Sequence, residues 1–247
     1  EENIMQAFSH KEYRFILNWV KSNYNIVNFD QINSDTDNFC VIRHDVEYSV
    51  DRAYQLAKIE EELDIKSTYL LQIKNNCYNS LSVRNIPLID EIHSMGHSIG
   101  LHVHCGLLHN YSSMTDMVKR DIDILSNSTG IDIKVFSFHR PTIDMLLSNL
   151  EIKGLINAYG DLYFHAYKGR APKNLRVKYM SDSNHMWKYG YPTTSNNSKL
   201  QLNFHPFSWT DVGYENTSNF ETLVNEKCGE MVNSINSEIK TFPKELI

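Results

Sequence analysis

The chain has 247 residues, 41% of them hydrophobic, and a formal net charge of −6. The acidic balance, with no Lys/Arg-rich run, argues against a nucleic-acid binder. No apolar stretch reaches the roughly 18–20 residues that span a bilayer. The length suffices to bury the core of one α/β domain.

Apolar positions Phe8, Tyr13, Phe15, Ile16, Trp19 and Val20 recur at near-helical spacing, which predicts an amphipathic helix over 8–23. Phe39-Cys40-Val41-Ile42 predicts a buried strand over 39–44. Ser49 then caps a helix that runs to Leu63. A second strand is expected from Ile65 to Ile73, a helix over 84–95 that stops near Gly96, and a third strand from Ser98 to His102. Next come a helix over 115–127, a strand from Val135 to Phe138 and a helix over 142–153. Strands follow at Ala158–Tyr163, Val177–Met180 and Leu200–Phe204, then a terminal helix over 219–240. The Ser/Asn-rich piece 193–198 reads as a surface loop. Alternating strands and helices predict a parallel sheet, open or closed into a barrel. The whole chain, 1–247, reads as one domain: a helical lead-in over 1–37, a core over 38–210 and a C-terminal helix over 211–247.

None of Cys40, Cys77, Cys105 and Cys228 forms a C-x-x-C pair, so no structural zinc knuckle is expected. Cys40 reads as a small buried hydrophobe, and Cys105, beside a histidine cluster, is a minor candidate ligand. No secretory leader is visible after Glu1, which sets the expectation of a cytoplasmic protein with reduced thiols.

Polar groups gather where strands end. The first strand runs into Arg43-His44-Asp45-Val46-Glu47. Asp45 and Glu47 are two apart, so on an extended backbone both point to one side. Two carboxylates and a histidine there suit a divalent metal and a general base. The third strand ends in His102 and His104, the fourth in His139 and Arg140, the last in His205. In barrel-like α/β folds the C-terminal strand ends form one rim, and that rim carries the active site. A lone histidine after a strand is usually a surface or satisfied residue, and His10, His93, His109, His165 and His185 are assigned to that class.

Six segments, in order, resemble the polysaccharide deacetylase family (NodB-homology, carbohydrate esterase family 4), in the branch whose first motif reads Arg-His-Asp-Val-Asp. They are Arg43-His44-Asp45-Val46-Glu47, Asp64 to Tyr69, Gly96 to His102, Phe136 to Pro141, Ser181-Asp182-Ser183 through Trp187, and Leu202 to Pro206. The resemblance spans about 38–210 and implies a distorted (β/α) barrel with about seven parallel strands. It also implies metal-dependent removal of an acetyl group from an N-acetylated sugar. By the same resemblance, Asp45 is the general base, Glu47 and His102 bind metal, and Arg140 holds the base carboxylate. Asp182 and Trp187 support the site, and His205 is the general acid. Glu47 stands where the family has aspartate, and Gly106 where it has a second metal histidine. His104 and His139 are rival candidates for the third ligand. Zinc is the expected ion, with cobalt, nickel or manganese as alternatives. Tyr48, Trp187 and Trp209 are candidates for an aromatic sugar platform. The implied substrate is an N-acylated (or O-acylated) sugar, nucleotide- or lipid-linked, in assembly of a bacterial surface polysaccharide. The departures leave two alternatives: a non-catalytic sugar-binding module on the same fold, or a hydrolase of another C–N bond such as a cyclic amide.

Overall fold

A computed structural model of the chain describes residues 7–106, 112–165, 176–241 and 243. Helix α1 (His10–Asn23) starts where the Ser9 side chain accepts the Glu12 backbone N–H at 3.1 Å, and it buries Tyr13, Ile16, Leu17 and Val20. Ser49 caps α2 (Val50–Glu62) in the same way, through the Arg52 N–H. The other helices are α3 (Asn85–Ser94), α4 (Met114–Thr129), α5 (Ile143–Leu147) and α6 (Asn216–Glu238). Helix α4 ends at Gly130, whose φ of 74° is the left-handed conformation that glycine adopts without penalty. Among the described residues no helix is long and apolar enough to cross a membrane.

The strands are β1 (Asn25–Ile26), β2 (Phe39–Val46), β3 (Thr68–Leu71), β4 (Ser98–His104), β5 (Val135–His139), β6 (Ile156–Asn157), β7 (Lys178–Ser181) and β8 (Lys199–Phe204). Seven lie in the order β6-β5-β4-β3-β2-β8-β7, and β1 pairs with the start of β2. Every pairing is parallel. The sheet curls into an incomplete distorted barrel. Gln201 on β8 donates across the interior to Ala158 O at 3.0 Å and Tyr163 O at 2.7 Å, in the segment that follows edge strand β6.

Alternation along β2 sorts its side chains between two buried faces. Cys40 and Ile42 pack with Ile16, Leu17 and Leu56 from the helices. Phe39 and Val41 pack in the interior with Leu70 and Val135. Two steps further along the same face stand Arg43 and Asp45, both buried. The interior is therefore apolar toward the N-terminal ends of the strands and polar toward the C-terminal ends. Gly100 permits close packing there, because a Cβ would meet Leu70 Cδ2 at 2.3 Å and Val135 O at 2.7 Å.

Most of the expected elements form within a few residues of their expected bounds. β2 and β4 each run two residues further than expected, which carries Asp45 and His104 into the ladders. The strand expected at 158–163 is absent; Asn157 Oδ1 accepts the Tyr159 N–H and turns the chain at a sheet edge that has no further neighbour among the described residues. α5 stops at Leu147 rather than 153, because Asn149 adopts a φ of 46° that no helix continues through. Arg52 anchors α6 to α2: it reaches both Glu226 carboxylate oxygens at 2.9 Å, Asn219 Oδ1 at 2.8 Å and the Phe207 carbonyl.

Candidate active site

The C-terminal ends of β2, β4, β5 and β8 bring their polar residues together around a cavity of about 330 Å³, within the roughly 300–1,000 Å³ range of small-ligand sites. Asp45, Glu47, Tyr48, His102, Arg140 and His205 are among its lining residues.

Parallel register explains the histidines. His102 on β4 is level with Ser137 on β5, and His104 is level with His139. His102 Nδ1 lies 2.7 Å from Ser137 Oγ, which fixes the ring and leaves Nε2 3.6 Å from Glu47 Oε1. His139 Nδ1 lies 2.9 Å from the same oxygen. That nitrogen is buried and makes no well-angled hydrogen bond. Glu47, His102 and His139 each offer a ligand atom within 4.8 Å of the others, the arrangement that holds a metal ion. Burial alone would push the Glu47 carboxyl up, but His102 and His139 outweigh it and hold the group well below the ordinary range. His104 stands outside this trio. It sits at the tip of β4, where its Nδ1 accepts the Gly106 N–H at 3.3 Å. Cys105 is also outside it, its thiol directed at Val103 O.

Asp45 is 2% exposed. One oxygen, Oδ2, accepts from Arg43 at 3.0 Å and from Asn203 at 2.9 Å. The other, Oδ1, has no hydrogen-bond partner and lies 3.7 Å from His102 Nδ1. Desolvation raises the Asp45 carboxyl, but the Arg43 guanidinium, then His102 and His205, bring it below its ordinary value. Arg43 is itself fully buried, and is held by Gln201, Tyr159 and a face-on contact with the Tyr159 ring, 4.5 Å to the centroid.

His205 Nδ1 is 2.7 Å from Asp182 Oδ1, and its Nε2 faces Glu47 Oε1 at 3.9 Å. The second Asp182 oxygen accepts the Trp209 indole N–H at 2.7 Å. Burial works against charge on His205, yet Asp182 prevails and pushes its pKa up to about 9. The ring is therefore a charged donor at neutral pH.

Several expectations change. The guanidinium on Asp45 is that of Arg43, not Arg140, because Arg43 shares the interior face of β2 two residues away. Arg140 lines the cavity, and its guanidinium neighbours the Tyr48 hydroxyl. Trp209 is fully buried, with its N–H spent on Asp182, and Trp187 packs edge-on against Phe204 at 5.6 Å. Neither lines the cavity; of the three proposed platform aromatics only Tyr48 does, packed against Phe207. His185 stacks on Phe8, His93 bonds the His97 carbonyl, and His109 lies outside the described residues. Arg43, Ser137 and Asn203 are additions. Arg43 and Ser137 each lie two residues from a recognised site residue on their own strand, and Asn203 two before His205 just past the end of β8, so period-two alternation puts each on the site's face.

No family model matches the chain, and no curated protein does. Solved structures similar to it include the chitin deacetylase of the fungal pathogen Colletotrichum lindemuthianum, at 15% identity and a TM-score of 0.43 over 82% of this chain and 86% of that one. Another is the catalytic domain of a peptidoglycan N-acetylglucosamine deacetylase from Eubacterium rectale, at 11% and 0.42 over 81% and 88%. A third is a CE4 family pseudoenzyme from Bacillus anthracis, at 10% and 0.39 over 80% and 63%. At such distances these are likenesses, and nothing about this chain's chemistry follows from them.

Proposed function

We propose that this site is a metal-dependent deacylase acting on an N-acylated sugar. The observation that carries it is the state of Asp45: a buried carboxylate, one oxygen fixed from below and the other without a partner, in a cavity with three converging ligand atoms and a charged histidine. The buried His139 Nδ1, 2.9 Å from a Glu47 carboxylate oxygen but not angled for a hydrogen bond, fits a shared cation. Glu47, His102 and His139 would hold it, zinc by the two-nitrogen, one-oxygen donor set, with cobalt, nickel or manganese as alternatives. Bound there, the ion would polarise an acyl carbonyl and acidify a water.

The chain's own residues supply the proton transfers. Asp45 Oδ1 takes a proton from the attacking water, while Arg43 and Asn203 keep the carboxylate ionised and oriented. His205 delivers its Nε2 proton to the departing amine, and Asp182 holds the ring from Nδ1. The motif resemblance contributes the substrate class, an N-acylated sugar, and the finer expectation of a nucleotide- or lipid-linked form in bacterial surface polysaccharide assembly. At Gly106 the family's second histidine is missing, and His139 from the neighbouring strand is the stand-in.

Metal analysis and acetate release test the reading. Purified protein is expected to hold one equivalent of zinc, His139→Ala to lose it and His104→Ala to keep it. Asp45→Asn is expected to keep the zinc and lower kcat by about 10²–10⁴-fold. Stoichiometric zinc in His139→Ala would overturn the ligand set. A zinc-loaded protein that releases no acetate from any of a panel of N-acetyl sugars and nucleotide-linked N-acetyl sugars would overturn catalysis.

A further inference from the structure

We propose that Arg140 binds an anionic group of the substrate, a phosphate or carboxylate borne on the same sugar, and that this contact selects charged over neutral N-acyl sugars. The inference rests on the reading above and deepens it.

The arginine at the cavity is not needed by the base. Asp45 Oδ2 is already held by Arg43 and Asn203, and Arg43 is as buried as the carboxylate it serves. Arg140 is exposed, lines the cavity, and among the described residues is its only lysine or arginine. No ion pair among the described residues engages it. The two internal segments outside the description, 107–111 and 166–175, contain no aspartate or glutamate that could. Its polar neighbour is a neutral hydroxyl, that of Tyr48. A guanidinium has five donors in a planar fork that matches phosphate or carboxylate with two parallel bonds, and among the described residues no acid pairs with this one.

Charge balance points the same way. With a divalent ion held, the ion more than offsets Glu47, Asp182 offsets the charged His205, and Arg43 offsets Asp45. Arg140 is then positive charge in excess, inside a chain of net charge −6. A locally positive cavity concentrates anions at that point. Its backbone is also unusual: Arg140 has a φ of 50°, although it precedes Pro141 and residues before proline favour extended conformations. The chain holds this side chain at the β5 end in a conformation that neither sterics nor the proline favours.

Calorimetric titration of the zinc-loaded protein tests the proposal. The probes are N-acetylglucosamine, its 1-phosphate and its 6-carboxylate analogue (the 2-acetamido uronic acid), with inorganic phosphate alone as a control for coordination to the zinc. Wild-type protein is expected to bind one of the two anionic sugars about 10-fold or more tightly than the neutral sugar. Which of them wins separates a phosphate from a carboxylate. In Arg140→Ala that ratio is expected to collapse to about one, with zinc content retained, and Arg140→Lys to recover part of it. Equal affinities in wild type overturn the proposal and leave the deacylase reading standing. So does a preference that survives in Arg140→Ala, since the anion would then sit on the zinc. Failure of all three sugars to bind overturns this proposal and the sugar reading together.

Discussion

Arg43 carries a full charge inside the barrel with no exposed surface. A buried guanidinium is tolerated only when its charge is matched and its donors are used, and here Asp45, Gln201 and Tyr159 take them. The pair works in both directions: each keeps the other ionised. Arg43→Lys retains the charge but not the reach to three partners, so kcat should fall about 10-fold with KM within about twofold and zinc retained. A KM that rises while kcat holds would show that Arg43 acts on substrate binding instead. The acid has its own support in Asp182. Since His205 is raised to about 9, its protonated form persists below that pH and is lost above it. The alkaline limb of kcat should therefore lie near 9 in wild type and move toward the ordinary histidine value, about 6.5, in Asp182→Asn. An unmoved limb would mean that another group sets it. The convergence of Asp45, Glu47, His102 and His205 on one cavity was legible because strand ends and period two expose them. Arg43 lies on the same face but was passed over, since its sequence position says nothing of depth inside a barrel. Trp209 misled for the same reason: an aromatic near a site reads as a platform until its burial is known.

At the scale of elements, one side chain ties helices to sheet. Glu60 on α2 is fully buried. Its oxygens accept from Tyr13 on α1 at 2.7 Å, and from Ser67 and Tyr69 at 2.7 Å each, while His44 Nε2 on β2 lies 2.9 Å away. Burial would raise this carboxyl, but His44 foremost outweighs it, and the pKa is lowered to about 2. A depressed carboxyl stabilises the fold above its unfolded value, about 4.3, and that stabilisation is lost as pH falls toward 2. Glu60→Gln is expected to cost about 3–5 kcal/mol at pH 7, because His44 loses its buried partner. In urea titrations the gap between wild type and variant should narrow steadily from pH 5 to pH 2. A gap independent of pH would sink the assignment. The helices and central strands around this network were readable from apolar periodicity, because burial on one or both faces dictates their pattern. Prediction failed at the margins. β6 is a two-residue edge strand, and α5 ends at a left-handed asparagine. Such short elements owe their bounds to local turns rather than to a repeating face.

For the whole molecule, the alternation of strands and helices made the barrel class legible, but not the order in which strands lie side by side. That order is what puts β5 beside β4, and so brings His139 level with His104 and within 2.9 Å of Glu47 Oε1. It also means that the candidate ligands come from three segments well separated in the chain: Glu47 after β2, His102 on β4 and His139 on β5. An ion held by all three is held by the folded chain alone, so its binding energy adds to the stability of the whole sheet. At free zinc about 100-fold above Kd the gain is about 2.7 kcal/mol. For a chain of this size that corresponds to a rise in Tm of roughly 5–10 °C. The rise should vanish on chelation and in Glu47→Gln or His102→Ala, and persist in His104→Ala, whose ring is committed to its own loop. A thermal scan in which zinc leaves wild type unmoved, or in which Glu47→Gln gains as much as wild type, would place the ion elsewhere and dissolve the three-strand site.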